Sequence, residues 1–194
     1  MAGAIQKKAA TYEDLLAVPD HKVAEILDGE LFASPRPALR HAHAGSALGG
    51  FLFTRFHGSG GDGPGGWWIL DEPELHLGDD VLVPDIAGWR RARLAVIPNA
   101  PWLDVAPDWV CEVVSPSTES IDRGRKLRIY AREGVAHLWL VNPIAKTLEV
   151  YRLTDTRWLL LRTFTNDDLA RAEPFSEVDI EIARWWLPEG PAPT

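Results

Sequence analysis

Two acidic residues interrupt apolar runs whose composition is typical of buried strands. Asp85 lies in the run 81–87, and Glu112 lies in the run 109–114. A carboxylate within a strand that is covered on both faces needs a cation or hydrogen-bond donors, because burying an unpaired charge is costly. If the two strands are neighbours, both carboxylates can bind one hard cation, Mg²⁺ or Mn²⁺, since such ions prefer oxygen ligands. A metal held there would activate water for attack on a phosphodiester.

Lys126 is the candidate cation for this pair of acids. It lies in a basic helical segment over 122–132, on the same face as Ile129 and Tyr130, which is predicted to meet the sheet. In that position it would orient the attacking water or offset developing negative charge. Asp122 stands four residues earlier, so an ion pair between Asp122 and Lys126 on the helix surface is the competing interpretation.

Each of these residues also has a simpler interpretation. Isolated acids at strand ends are commonly satisfied by backbone donors or by an arginine, and helix lysines are commonly solvated. The combination of two acids within strands and one lysine on the following helix favours a catalytic site. Glu25 is either an edge-strand acid at a hairpin or a contributor to that site. His41, on the apolar face of a predicted helix, is either a hydrogen-bonded helix residue or a substrate contact.

The basic residues concentrate beside both acids in the sequence. Runs of charge are usually solvated faces, yet a nuclease would need cations here to hold phosphates. Trp89, next to Asp85 and these arginines, is predicted to be exposed and to stack on a base. The arginines predicted to bind substrate are Arg90, Arg91, Arg123 and Arg125, with Arg93 and Arg128 completing the basic group.

A strand, a helix and a second strand between Pro107 and Pro143 must position these groups. The first apolar run carries Glu112, the basic helix stops at Gly134, and the second apolar run covers 136–141. A unit of this size predicts a βαβ crossover whose two strands lie near each other in one sheet.

The remaining elements are predicted to support this unit. Asp28-Gly29 between two short apolar runs predicts a hairpin, because a type I′ turn needs positive φ at both central positions. The other predicted elements are a short helix capped by Thr11, a helix over 37–57, a loop over 58–66, strands over 67–77 and 81–89, a hairpin over 147–153 and 158–164, and a strand with a turn over 177–186.

Composition sets the class of protein. The 194 residues suit one domain, assigned to 11–187, with a disordered lead over 1–10 and a loose tail over 188–194. The net charge of −8 argues against a general electrostatic nucleic-acid binder, although a local basic patch can persist. The single cysteine excludes an internal disulfide and favours a reducing cytoplasm. No apolar run is long enough to span a membrane, so a soluble, cytoplasmic protein is expected.

Several motifs together resemble a nuclease family. Pro84-Asp85, Glu112-Val-Val114 and the displaced Lys126 are similar to a variant of the PD-(D/E)XK nuclease superfamily. Over about 11–153 the chain more closely resembles the Uma-two family of restriction endonucleases. The motifs that carry this resemblance are Tyr12-Glu-Asp-Leu-Leu, Glu25-Ile-Leu-Asp-Gly-Glu-Leu31, Ser34-Pro35, His41, Val83-Pro-Asp85, Pro107-Asp-Trp-Val-Cys-Glu-Val-Val-Ser-Pro-Ser-Thr118, Asp122 to Tyr130, Gly134-Val135 and Trp139-Leu-Val-Asn-Pro143.

The resemblance implies a mixed α/β core, in which a central mixed β-sheet is flanked by helices and accompanied by N-terminal and C-terminal hairpins. It implies Asp85 and Glu112 as metal ligands, Glu25 as a further ligand, and Lys126 as the catalytic lysine moved from strand to helix. Val114 stands where the superfamily motif has its lysine, so the motif is complete only if Lys126 reaches the site from its helix. His41 and Tyr130 would support the site, and a homodimer is expected by analogy.

These features predict a Mg²⁺- or Mn²⁺-dependent endonuclease that hydrolyses DNA, in which Asp85 and Glu112 hold the metal and Lys126 positions the water. Two alternatives remain open at this stage. One is a catalytically silent nuclease fold that serves binding or oligomerisation, with its acids in salt bridges. The other is a metal-dependent hydrolase of small phosphoesters.

Overall fold

A computed structural model describes residues 8–58 and 63–188. Most of the predicted lead and tail, and the middle of the predicted loop over 58–66, lie outside these residues. The helices are α1 Tyr12–Leu16, α2 Leu39–Phe56, α3 Glu119–Ile121 and α4 Leu127–Arg132, with a π-helical turn at Asp122–Lys126 and a 3₁₀ turn at Ile182–Trp185. The strands are β1 Lys22–Leu27, β2 Glu30–Pro35, β3 Trp67–Asp71, β4 Leu75–Leu77, β5 Asp80–Leu82, β6 Ile86–Arg90, β7 Trp109–Val113, β8 His137–Asn142, β9 Thr147–Thr154, β10 Arg157–Thr165, β11 Leu169–Ala170 and β12 Ile180–Glu181.

A six-stranded mixed sheet forms the centre of the fold, in the order β10-β9-β8-β7-β6-β3. Strands β7 and β8 are parallel, and the other neighbouring pairs in this sheet are antiparallel. A second, four-stranded antiparallel sheet has the order β2-β1-β5-β4, and β11 and β12 form a short ribbon. The predicted mixed sheet with flanking helices is therefore confirmed.

The crossover from β7 to β8 follows the predicted strand, helix and strand. Glu112 of β7 pairs in register with Leu140 of β8, and the helical segment over 119–132 connects the two strands. Ile129 and Tyr130 of that segment are fully buried. The helix face that carries them packs on the sheet, because burial against the sheet removes its apolar side chains from water.

Alternation along β7 divides its side chains between two cores. Trp109, Cys111 and Val113 face the core that α2 and the C-terminal segment cover. Val110 and, just beyond the strand, Val114 face the other core, beneath α4. Because side chains alternate with a period of two, Glu112 lies on the α4 side of the sheet, toward the helix that carries Lys126.

The two strands predicted over 67–77 and 81–89 are each broken, so their predicted continuity is wrong. Each run contributes one short strand to each of the two larger sheets. The first break has Glu72 at φ 44°, and the second contains Pro84, whose missing N–H cannot join a sheet ladder. The second break leaves Asp85 directly before β6, between the strands of the two sheets.

Local turn chemistry agrees with prediction at the first hairpin. Asp28 and Gly29 have φ of 51° and 75°, as a type I′ turn requires.

The predicted exposure of Trp89 is wrong, since its ring is fully buried and its Nε1 donates to the Val105 carbonyl at 2.8 Å. No helix among the described residues is long and apolar enough to cross a membrane.

Candidate active site

One cleft of about 320 Å³ collects five of the ten predicted site residues. Its lining comes from both larger sheets, the start of α2, the segment just after β7 and the π-helical turn. The predicted residues that line it are Glu25, His41, Asp85, Glu112 and Lys126. Groups far apart in the sequence therefore meet in one place.

Asp85 is held from two sides. Its Oδ2 accepts the backbone N–H of Val113 at 2.7 Å, and its Oδ1 lies 3.2 Å from Nε2 of His41. Burial acts to lower the pKa of His41, but the hydrogen bond to Asp85 and the negative charge around it raise that pKa above its usual value. Helix α2 and strand β7 thus fix the orientation of this carboxylate.

Glu112 lies in the middle of the sheet, and only 2% of the residue is exposed. Its Oε1 accepts the Tyr130 hydroxyl at 2.6 Å and lies 2.9 Å from Nζ of Lys126. Burial and the neighbouring Glu112 charge raise the pKa of Tyr130 well above its usual value, so the hydroxyl stays protonated and donates. Two groups from one helical segment therefore hold one oxygen of this carboxylate.

The π-helical turn places Lys126 against the acids. Leu127 donates its N–H to the carbonyl of Asp122, and this wider turn leaves both Asp122 and Lys126 buried. Nζ of Lys126 lies 2.9 Å from Glu112, 3.0 Å from Glu25 and 3.8 Å from Asp122. The pair with Asp122 is the longest of the three, so the lysine points toward Glu112 and Glu25 of the sheets more than toward Asp122 of its own helix.

Three carboxyl groups lie within 4 Å of this single ammonium group, and Asp85 lines the same cleft. Burial, with the charges of Asp122, Asp85 and Glu25, raises the pKa of Glu112 well above its usual value, against the opposing effect of Lys126. Burial also raises the pKa of Asp122 to about 6, again against Lys126. Burial lowers the pKa of Lys126, but the surrounding acids, Glu112 foremost, raise it well above its usual value. The lysine therefore stays protonated beside these carboxyl groups.

The structure does not bring the four predicted substrate-binding arginines into this cleft. Arg123 and Arg125 form ion pairs at 2.6 and 2.7 Å with Glu149 and Glu30. These pairs place both guanidinium groups against acids of other strands. Arg90 and Arg91 lie over the rings of Trp67 and Trp68, at 4.5 and 3.5 Å from the ring centres.

Other lining residues were not singled out in the sequence. Arg36, just after β2, reaches the cleft, as do Glu72 and the hydroxyl residues Ser115, Ser117 and Thr118. The three hydroxyl residues could have been predicted from the sequence, because they follow the strand of Glu112 directly within the most specific motif. Arg36 could not have been predicted, since a single arginine after a hairpin forms no recognisable motif.

The residues present suit a Mg²⁺ or Mn²⁺ site completed by water and substrate. Among the residues that the structure describes, no three His, Cys, Asp or Glu side chains lie close enough together to hold a metal by themselves. Magnesium, however, commonly binds through one or two carboxylates plus water and substrate phosphates. Asp85 and Glu112 supply two such carboxylates, and the contacts that Glu112 makes with Lys126 and Tyr130 use Oε1 alone. A divalent cation bound there would favour the ionised form of these carboxyl groups.

The chain has the fold of a restriction-endonuclease-like nuclease. The family model Uma2, described as "Putative restriction endonuclease", matches residues 9–184, and the chain belongs to this family. Restriction-endonuclease-like proteins generally use divalent metal ions.

A solved structure has the same fold. It is the crystal structure of "a putative nuclease belonging to DUF820" from Anabaena variabilis ATCC 29413, 22% identical, with a TM-score of 0.71 over 91% of this chain and 97% of that chain. No curated protein matches the chain.

Proposed function

We propose that the protein is a divalent-metal-dependent endonuclease that hydrolyses DNA phosphodiester bonds in the cleft around Asp85. The observation that carries the proposal is the convergence of Asp85, Glu112 and the buried cation of Lys126 on that cleft. The reaction adds water to phosphorus and breaks one ester P–O bond, and the leaving oxygen takes up a proton. The products are one strand end with a hydroxyl group and one with a phosphate.

The protonated state of Lys126 decides its role. An ammonium group cannot accept a proton from water, so Lys126 does not act as the general base. It would stabilise the negative charge that develops on the phosphate oxygens, which is most effective in a site shielded from bulk water. Tyr130 would keep Glu112 in position by its hydrogen bond, and His41 would do the same for Asp85.

Asp85 and Glu112 would hold the metal ion, which when bound supplies an activated water and neutralises phosphate charge. Glu25 would be a further ligand. Its contacts with Lys126 and with the Val83 N–H are both made by Oε1, which leaves Oε2 for an ion.

Removing one proposed ligand tests this assignment. Purified protein with Mg²⁺ or Mn²⁺ is expected to cut DNA, and Asp85→Asn is expected to slow cutting by about 10²-fold or more, because it removes a charge at the reacting centre. The exposed Asp179→Asn, whose carboxylate pairs with Arg171 on the surface, is the matched control and should cut at the wild-type rate. A chelator should stop the wild-type reaction. Cutting that survives both Asp85→Asn and chelation would refute the assignment.

A second function is favoured by one contact. Lys126 bridges Glu25 and Glu112 directly, as expected if the fold serves only for binding or oligomerisation and its acids are in salt bridges. Calorimetric titration with Mn²⁺ separates the two functions. Heat of binding that disappears in Asp85→Asn supports the nuclease, whereas no heat and no thermal stabilisation support the binding protein.

A further inference from the structure

The proposed catalytic groups are deeply recessed. The side chains of Glu112 and Lys126 are 3% and 4% exposed, while Asp85 is 20% exposed. A scissile phosphate must therefore enter the cleft to meet all three groups. The phosphates of a duplex lie on its outer surface, but the paired strand beside each one limits how far it can enter a narrow cleft. An unpaired strand is thinner and can follow the cleft to these groups.

Cations around the cleft are scarce. Of the arginines in the described part of the chain, only Arg36 lines it. Arg123 and Arg125 are engaged by acids elsewhere. Binding along a duplex draws its affinity from several lysine and arginine contacts to phosphates. The surface near Asp85 therefore offers little to hold two phosphate backbones at once.

A second cleft of about 240 Å³ lies next to the first, and His41 and Asp85 line both. The two clefts share Pro37 and Glu72 as well, and the two adjoining clefts together are called the groove. The second cleft runs along the first two turns of α2, where the small residues Ala42, Gly45 and Ser46 form its wall. A Cβ added at Gly45 would meet no atom within 4 Å, so this wall is open.

The acids of the second cleft suit bases better than phosphates. Burial raises the pKa of Asp71, and within the described residues its carboxylate has no hydrogen-bond or ion-pair partner. Asp71 and Glu72 both line this cleft. Carboxylates repel phosphate, but they accept hydrogen bonds from the exocyclic amino groups of cytosine and adenine. In a duplex one N–H of each amino group is used in pairing and the other faces the major groove, whereas an unpaired base can turn its whole pairing edge into the cleft.

We propose that the substrate is a single, unpaired strand of DNA, which lies in the groove with its scissile phosphate at Asp85 and an adjacent base in the cleft beside α2. This inference rests on the proposed nuclease function. It names the form of DNA that the same site takes.

Three substrates of one sequence test the proposal: a single strand, the matched duplex, and a duplex with a single-stranded flap, each with Mn²⁺. The single strand and the flap are expected to be cut at least about tenfold faster than the duplex, because a paired strand must first be opened. Duplex cutting as fast as single-strand cutting would overturn the inference and leave the nuclease assignment intact. If none of the three is cut, both proposals fail. RNA cut in preference to single-stranded DNA would also overturn it.

Two glycines of α2 provide a matched pair of variants. Gly45 lines the groove, whereas Gly50 lies on the same helix beside Arg184, outside the groove. A Cβ at either position meets no atom within 4 Å, so both Gly45→Glu and Gly50→Glu should fold. We expect Gly45→Glu to weaken binding of a labelled single strand, measured by fluorescence anisotropy, by about tenfold, since it adds bulk and negative charge to the path. Gly50→Glu should bind as the wild type does, and equal weakening by both variants would contradict the proposed path.

A base preference follows from the same placement. Oligo(dC) or oligo(dA) is expected to bind more tightly than oligo(dT), because thymine has no exocyclic amino group. Asp71→Asn is expected to reduce this preference, since the amide offers one acceptor oxygen in place of two. A preference that Asp71→Asn leaves unchanged would remove Asp71 from the binding path.

Discussion

Replacing Lys126 by methionine is expected to lower the free energy of unfolding by about 3–5 kcal/mol, because it leaves buried carboxylates without their cation. The side chain is almost fully buried among Glu112, Glu25 and Asp122. Methionine keeps an apolar stem of similar length, so the loss reports the missing charge. DNA cutting, measured at a temperature where the variant is folded, should fall by about 10²-fold or more.

The cost of Lys126→Met should depend on pH in a definite direction. Burial already raises the pKa of Glu112 above its usual value and that of Asp122 to about 6, and Lys126 opposes both shifts. Without the lysine the two carboxyl groups hold their protons to higher pH in the folded state than in the unfolded state. Their repulsion therefore appears as pH rises, so denaturant unfolding should show a larger loss near about pH 8 than near about pH 5.

Arg128→Met is the control for this prediction. Arg128 lies on the same helical segment, but its side chain is 71% exposed and its pair with Asp28 is 3.5 Å long. Exposed ion pairs contribute about 0–1 kcal/mol, so the change should be small and cutting should be unaffected. Equal effects of the two variants would mean that Lys126 has no special place in the site.

Replacing Phe175 by alanine is expected to cost about 3–5 kcal/mol of unfolding free energy, as large aromatic deletions in a core do. Phe175 is fully buried, and its ring centre lies 4.6 Å from Phe56, 4.9 Å from Trp67, 5.0 Å from Trp109 and 5.6 Å from Trp139. Its removal leaves a cavity beneath β7, the strand that carries Glu112. Urea unfolding measures the loss.

Phe53→Ala is the matched control for the aromatic deletion. Phe53 lies on α2 with 52% of its surface exposed, and its ring stacks on His57. Its loss should cost about 1 kcal/mol or less, since exposed side chains contribute little packing energy. If Phe175→Ala costs no more than this, the aromatic cluster does not hold the C-terminal segment to the sheet.

Local signals accounted for the elements that the sequence predicted well. The hairpin at Asp28-Gly29 follows from turn chemistry that only a few residues determine. The crossover around Glu112 follows from two apolar runs and a helical segment of suitable length. By contrast, the runs over 67–77 and 81–89 look continuous in sequence but divide between two sheets, because strand pairing with distant partners decides where each ladder ends.

The contacts of charged and aromatic side chains were harder to predict from the sequence. Arg123 lies in a basic segment and was predicted to bind phosphate, yet it pairs with Glu149 on a strand distant in the sequence. Trp89 stood beside charged residues but is buried beneath the loop that contains Val105. In each case a long-range contact, invisible in local spacing, determines what the side chain meets.

The sequence by itself indicated Asp85, Glu112 and Lys126 as candidate site residues and determined the alternation that places Glu112 on one face of β7. Those properties depend on residue type and on the alternation of side chains along a strand. Only the tertiary structure decided that Glu25 and Glu112 share the ammonium group of Lys126, and that Asp85 lines two adjoining clefts. The physical reason is that a buried charge requires partners, and the folded arrangement of distant segments selects which partners are within reach.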